Sequence, residues 1–191
     1  MRPSSGLEDA ITRVAVTVTF LRLDRFDWVT RSLPDSAGLL APEQCTVPFY
    51  RFLYATVGEP YLWWLRRSLD DAAIAAVLAE PAVSVHVLYT GGQPAGFFEL
   101  DRRAFPSVNL SYFGLMPHVT GHRLGTAFLH TALRTAQALG ARAVTVNTCT
   151  ADHPRALPGY VAAGFREVRS VREIWSVPLR LGLSIPAHLL V

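Results

Sequence analysis

The chain has 191 residues, half of them apolar, 17% charged and 10% aromatic, a composition that excludes a polar disordered tail and fits one domain, residues 1–191, with 1–11 expected to be flexible. The formal net charge of +3 rests on arginine alone, since lysine is absent, and the arginines are scattered; this argues against nucleic acid and leaves room for a polyanionic small molecule. An apolar leader and a long apolar run are missing, and Cys45 and Cys149 lack metal-ligand spacing, so the expectation is a cytoplasmic protein with no membrane segment and no metal.

Residues 12 to 23, TRVAVTVTFLRL, are rich in β-branched residues and read as the opening strand. A Pro/Gly-punctuated stretch from Ser32 to Pro48 follows, and then FYRFLYATV and DDAAIAAVLAE carry helical spacing, the second with Asp70 and Asp71 near its start. From Val83 the period becomes two, Gly91-Gly92 makes a tight turn, and AGFFEL continues beyond it as the second arm of a hairpin. VNLSYFGLM is a further strand, ended by Pro117. Gly125, Phe128, Leu129, Ala132, Leu133, Ala136 and Leu139 share one side of a helix expected over 121–139 and closed by Gly140. RAVTVNTC reads as a buried strand, DHPRALPGYVAAGF as a short helix opened by Asp152 and Pro154, and REVRSVREIW as a closing strand. The order strand, two helices, three strands, helix, strand, helix, strand is a mixed α/β layout without regular βαβ alternation.

The segment Tyr112 to Leu129, YFGLMPHVTGHRLGTAFL, takes a strand through a glycine-containing loop straight into a long helix. The first amides of a helix lack intrahelical partners and carry the positive end of its dipole, which favours phosphate oxygens there. Gly121 and Gly125 allow close approach of a ligand to the backbone. Absence of GxGxxG and of a βαβ prelude leaves a dinucleotide-binding domain a weak alternative.

This junction resembles the acyl-CoA loop of the GNAT superfamily of N-acyltransferases, whose pattern Gln/Arg-x-x-Gly-x-Gly/Ala aligns with Thr120, Arg123 and Gly125; only the last position matches. HPRALPGYVAAGF resembles a second family element at Ala156, Leu157, Tyr160, Gly164 and Phe165, with His153 standing where an asparagine that contacts the cofactor is common. LYATVGEPYLWWLRR, VLYTGGQPAGFFEL and NLSYFGL are similar to a bacterial subgroup, so the resemblance covers about residues 48 to 170. It implies a central splayed, mostly antiparallel sheet flanked by helices, with acetyl-CoA as co-substrate in the cleft between the parted strands. A bulge expected near Gly114 would free amides of Leu115 and Met116 for the pantetheine arm, although Gly114 reads equally as relief of crowding beside Phe113.

Under the same resemblance Gly121, His122, Arg123, Leu124, Gly125, Thr126 and His153 bind the cofactor. Tyr160 matches the general acid, as a phenol of pKa about 10 is able to protonate a departing thiolate; the alternative is a core tyrosine. Asn109 occupies a position where the subgroup often carries glutamate, which leaves Glu99 on the neighbouring strand as a base acting through water, or as a solvated strand carboxylate. Trp63, with Tyr61, Trp64, Arg66 and Arg67, falls where the family builds its acceptor pocket, or packs a short helix with exposed arginines. The expected activity is direct transfer of an acetyl group to a primary amine of a small molecule or peptide, without a covalent intermediate; an acyl-CoA-binding module without catalysis is the alternative. A homodimer is compatible with the chain.

Overall fold

A computed structural model describes residues 10–27 and 31–191. Of the leading residues expected to be flexible, Ile11 instead opens a strand, and 1–9 lie outside the described residues. The elements are β1 (Ile11–Leu23), β2 (Ala37–Leu40), α1 (Val47–Gly58), α2 (Asp71–Leu78), β3 (Val83–Thr90), β4 (Gln93–Asp101), β5 (Ser107–Leu115), α3 (Leu124–Ala138), β6 (Ala143–Cys149), α4 (Ala156–Ala162) and β7 (Arg166–Pro178). All seven strands form one sheet in the order β2-β3-β4-β5-β6-β1-β7. Every neighbouring pair is antiparallel except β5 with β6.

Local chemistry accounts for most boundaries. Asp70 caps α2 by accepting the Ala73 N–H at 2.8 Å, and Gly140, at φ 89°, follows the end of α3 in the left-handed conformation that glycine tolerates. Strand β2 is not foreshadowed by its sequence: AGLL lacks alternation and forms a strand by pairing with β3, Gly38 opposite Tyr89. Helix α3 begins at Leu124, three residues later than expected, because Arg123 stands before it in a left-handed conformation, φ 60°. Asp152 does not open α4, whose N-cap is Arg155.

Alternation along β4 assigns the helices to the two faces of the sheet. Phe97 meets Tyr50 of α1 at 6.2 Å between ring centroids, and the next residue, Phe98, meets Phe128 of α3 at 5.4 Å. Consecutive strand residues point to opposite faces, so α1 covers one side and α3 the other. One large core fills both layers; a smaller one joins Val14, Val16 and Val18 of β1 to Leu62, Val177 and Leu189. Among the described residues no helix is long and apolar enough to cross a membrane.

Candidate active site

Strands β5 and β6 pair over three residues only, Ser107 to Asn109 against Ala143 to Thr145. Beyond that seam they part, and the gap widens into a cleft of about 1220 Å³ that runs from the start of α3 to the connection between α1 and α2. A volume above that of ordinary small-ligand pockets suits a long ligand together with a second reactant.

The expected bulge exists, displaced from Gly114. Leu110 faces Leu100 and Tyr112 faces Glu99, which leaves Ser111 as the extra residue. Gly114 has a packing reason instead: a Cβ there would stand 2.3 Å from Cγ1 of Val57 in α1. Met116 is a correction too, since its N–H donates to the Ala95 carbonyl at 2.9 Å and its side chain is buried. Because backbone polar groups alternate in direction along an antiparallel strand, that bond turns the N–H and C=O of Leu115 and Phe113 away from β4 and into the gap. Phe113, absent from the sequence reading, thus faces the gap beside Leu115.

At the mouth of the cleft, Gly121 takes φ 90° with open space on its Cα, and Gly121, Arg123, Leu124, Gly125 and Thr126 line the wall. The N-cap residue Arg123 makes no side-chain capping bond, and among the described residues the N–H groups of the first turn of α3, Leu124 to Thr126, have no helical or capping partner. His122 departs from this group, because its N–H donates to the Val119 carbonyl at 3.2 Å. Arg123 occupies the position where the family pattern has glycine, and its φ of 60° shows why: the turn needs a left-handed residue there. His153 lies on the opposite wall, its Nδ1 accepting the Arg155 N–H at 3.0 Å, while Nε2 has no hydrogen bond among the described residues; the Tyr61 ring meets it edge-on at 6.0 Å.

Tyr160 reaches the cleft on the α3 face between Phe113 and Phe165, with ring centroids at 6.4 and 5.6 Å. Its hydroxyl forms no hydrogen bond among the described residues. Burial, with the Asp152 carboxylate adding to it, holds the phenol well above its ordinary pKa, so it stays protonated through neutral pH. Cys149 in the same cleft is pushed up to about 12 by burial and by Asp152, which keeps the thiol from serving as a thiolate.

On the α1 face Trp63 spans the cleft. Its ring packs 5.2 Å from that of Tyr112 on β5, and its Nε1–H donates to Asp152 Oδ1 at 3.3 Å, past the end of β6. Asp152 Oδ2 accepts the Thr148 hydroxyl and the Cys149 N–H, at 2.7 and 2.9 Å. Asn109 lies at the narrow end, where its Oδ1 accepts the Thr145 hydroxyl and its Nδ2 donates to Ser111 Oγ, both at 3.0 Å.

Glu99 is brought elsewhere than expected. It is 1% exposed, its Oε1 accepts Arg66 Nη2 at 3.0 Å, its Oε2 accepts the Tyr50 hydroxyl at 2.7 Å, and it does not line the cleft. Neither solvated nor open to the cleft, it is the buried counter-ion of Arg66, whose guanidinium also lies over the Tyr112 ring, 5.5 Å from the centroid. Arg66 is thus not an exposed arginine. The signal lay in AGFFEL itself, since a glutamate inside such an apolar run needs a cation to be buried. Two partners of Asp152, Thr148 and Cys149, lie within four residues of it, whereas the third, Trp63, comes from the connection between α1 and α2. The described residues contain no group of three or more His, Cys, Asp or Glu placed to hold a metal ion.

Comparisons with known proteins identify the family and the fold. The sequence profile of the acetyltransferase (GNAT) family matches residues 47–165. No curated protein sequence matches the chain. Among solved structures, a Drosophila protein superposes with a TM-score of 0.61 at 12% identity, covering 90% of this chain and 54% of its own. A GCN5-related N-acetyltransferase from Kribbella flavida gives 0.57 at 14%, covering 87% and 60%. A tandem GNAT protein from the clavulanic acid biosynthesis pathway gives 0.55 at 19%, covering 87% and 55%. The chain thus spans little more than half the length of these structures, and the likeness to them is one of fold. With more than half of its length matched by the family profile, the chain belongs to the acetyltransferase (GNAT) family.

Proposed function

We propose that this chain is an N-acetyltransferase that moves the acetyl group of acetyl-CoA directly to a primary amine, in a ternary complex within a single domain in the cytoplasm. The observation that carries the reading is the parting of β5 from β6 beyond Asn109 and Thr145, beside an uncapped first turn of α3. Gly121 and Arg123, with the N–H groups of Leu124, Gly125 and Thr126, receive the diphosphate, helped by His153 Nε2. The backbone of Leu115 and Phe113 pairs with the pantetheine amides in the manner of an added strand. The acceptor amine, carried on a small molecule or peptide, enters from the side of Trp63 and Tyr61 and reaches the narrow end near Asn109.

In the reaction the amine nitrogen bonds to the thioester carbon, the carbon–sulfur bond breaks, and Tyr160 gives its hydroxyl proton to the leaving sulfur. Tyr160 then recovers a proton from solvent. The amine proton passes to water, since the Glu99 carboxylate is engaged by Arg66 and Tyr50.

Thiol release from acetyl-CoA across a panel of amines, beside calorimetric titration of CoA, tests the assignment. Turnover with at least one amine is expected. Tyr160→Phe should lower kcat by roughly a hundredfold, the scale of general acid catalysis; a loss within about threefold, under about 0.7 kcal/mol of barrier, removes Tyr160 from the mechanism. A second reading, acyl-CoA binding without catalysis, is favoured because residue 109 is an amide, which is no base, and because the Glu99 carboxylate is engaged by Arg66 and Tyr50. CoA affinity without thiol release identifies it, and absence of CoA affinity sinks both.

A further inference from the structure

The two edges of the sheet are treated differently. On one side β2 is four residues long, a blunt edge of the kind that resists pairing. On the other, β7 runs for 13 residues, and among the described residues nothing pairs with its outer side. Its one irregularity against β1 lies near Val168, since Phe20 faces Arg169 and Leu21 faces Glu167; from Arg169 to Pro178 the register is continuous. Val171 and Ile174 are 38% and 52% exposed there. A long regular edge bearing apolar side chains is a template for another strand.

We infer that β7 is the interface for a second copy of this chain, paired antiparallel to its own symmetry mate about Val171. Within the regular stretch from Arg169 to Pro178, Val171 is the one centre that sets opposite charges against each other; Val168, which would oppose Glu167 to Arg169, falls on the irregularity. A two-fold axis normal to a sheet pairs residues of equal parity, so the registers to consider are those centred on a single residue. Centring on Val171 sets Val171 against itself, Ser170 against Arg172, and Arg169 against Glu173 twice, giving two opposite-charge pairs around an apolar centre. Centring on Arg169, Arg172 or Glu173 sets like charges face to face on the axis, and centring on Ser170 opposes Glu167 to Glu173. Arg169 and Glu173 share one face, in register with Phe20 and Val16 of β1. Arg169 now lies over the Phe20 ring at 4.4 Å, and among the described residues Glu173 uses only Oε2, to accept the Trp175 Nε1–H at 2.8 Å. Both therefore present charge on that face of an unpaired strand. The inference stands apart from the catalytic reading and survives or fails without it.

Sedimentation of the full chain over a range of concentrations tests it, with circular dichroism to confirm folding. A reversible dimer weakened by salt is expected. Arg169→Glu and Glu173→Arg should each weaken it roughly tenfold, because attraction becomes repulsion at two symmetric places; the double variant, with both charges exchanged, should restore it. In a background with Cys45→Ser and Cys149→Ser, Val171→Cys should form a disulfide-linked dimer on mild oxidation, because directly opposed antiparallel residues lie within disulfide reach. A chain that is monomeric throughout overturns the inference, as does a dimer indifferent to the single exchanges. Failure of the Val171→Cys variant to cross-link two copies overturns it independently of how the charge variants fold.

Discussion

The sheet divides at its three-residue seam into two unlike halves. The half made of β2 to β5 comes from one continuous stretch and is fastened through its interior: Arg66, Glu99 and Tyr50 form a buried polar chain, and Trp63, Tyr54, Tyr112 and Phe97 pack ring against ring around it. The half made of β6, β1 and β7 brings together strands distant in sequence, gives Leu21, Leu23, Val144 and Val146 to the large core and Val14, Val16 and Val18 to the small one, and holds its charges at the surface, as in the Asp24–Arg166 and Asp24–Arg22 pairs. One wall of the cleft is therefore fastened by a buried ion pair, while the other carries its charges in the open and is exposed along its far edge.

Substitutions should separate the halves by the size of their effect. Glu99→Ala strands Arg66 as a buried unpaired cation and should lower stability by about 3 kcal/mol or more in denaturant unfolding; a loss below about 1 kcal/mol would show that the first wall is not held by this pair. Gly114→Ala places a methyl group against Val57 and should remove about 2 kcal/mol, read as a drop in midpoint without a change in slope. Between the halves, Arg123→Gly relieves a left-handed non-glycine residue and should stabilise the fold by about 1 kcal/mol. The same change should weaken CoA binding if the guanidinium meets phosphate, so calorimetry and unfolding would move in opposite directions.

The smallest effect belongs to the second half. Asp24, exposed between Arg166 and Arg22, has its carboxyl held below the ordinary aspartate value of 3.8, chiefly by the hydrogen bond from Arg166. Its contribution is present above that value and is lost as the pH falls through the lowered pKa in the folded protein. Asp24→Asn should flatten the acid limb of stability below about pH 4 and change little at neutral pH.

Legibility in the sequence followed the same division between local and distant causes. Strands β3 and β4, the hairpin turn at Gly91-Gly92 and helix α3 are written in periodicity and glycine, which act over a few residues. What the sequence hides is set at a distance. β2 exists only because β3 is beside it, Gly114 is required by Val57 from α1, and the fate of Glu99 is decided by Arg66, 33 residues away in the chain. The anion-facing turn is legible except for Arg123, where a left-handed conformation without glycine displaces the helix start, and His122, whose amide the turn consumes. Met116 misleads for the same kind of reason, since the direction of its N–H depends on strand register rather than on residue type.

Inserting β1 between β6 and β7 has a consequence for biosynthesis. As the polypeptide leaves the ribosome, its first strand has no mate until more than a hundred residues have followed, whereas β2 to β5 are able to zip together in the order they are made. The strand of this sheet that is made before the other six is thus among the last to be seated, and until then its valine-rich ladder stands unprotected on both sides.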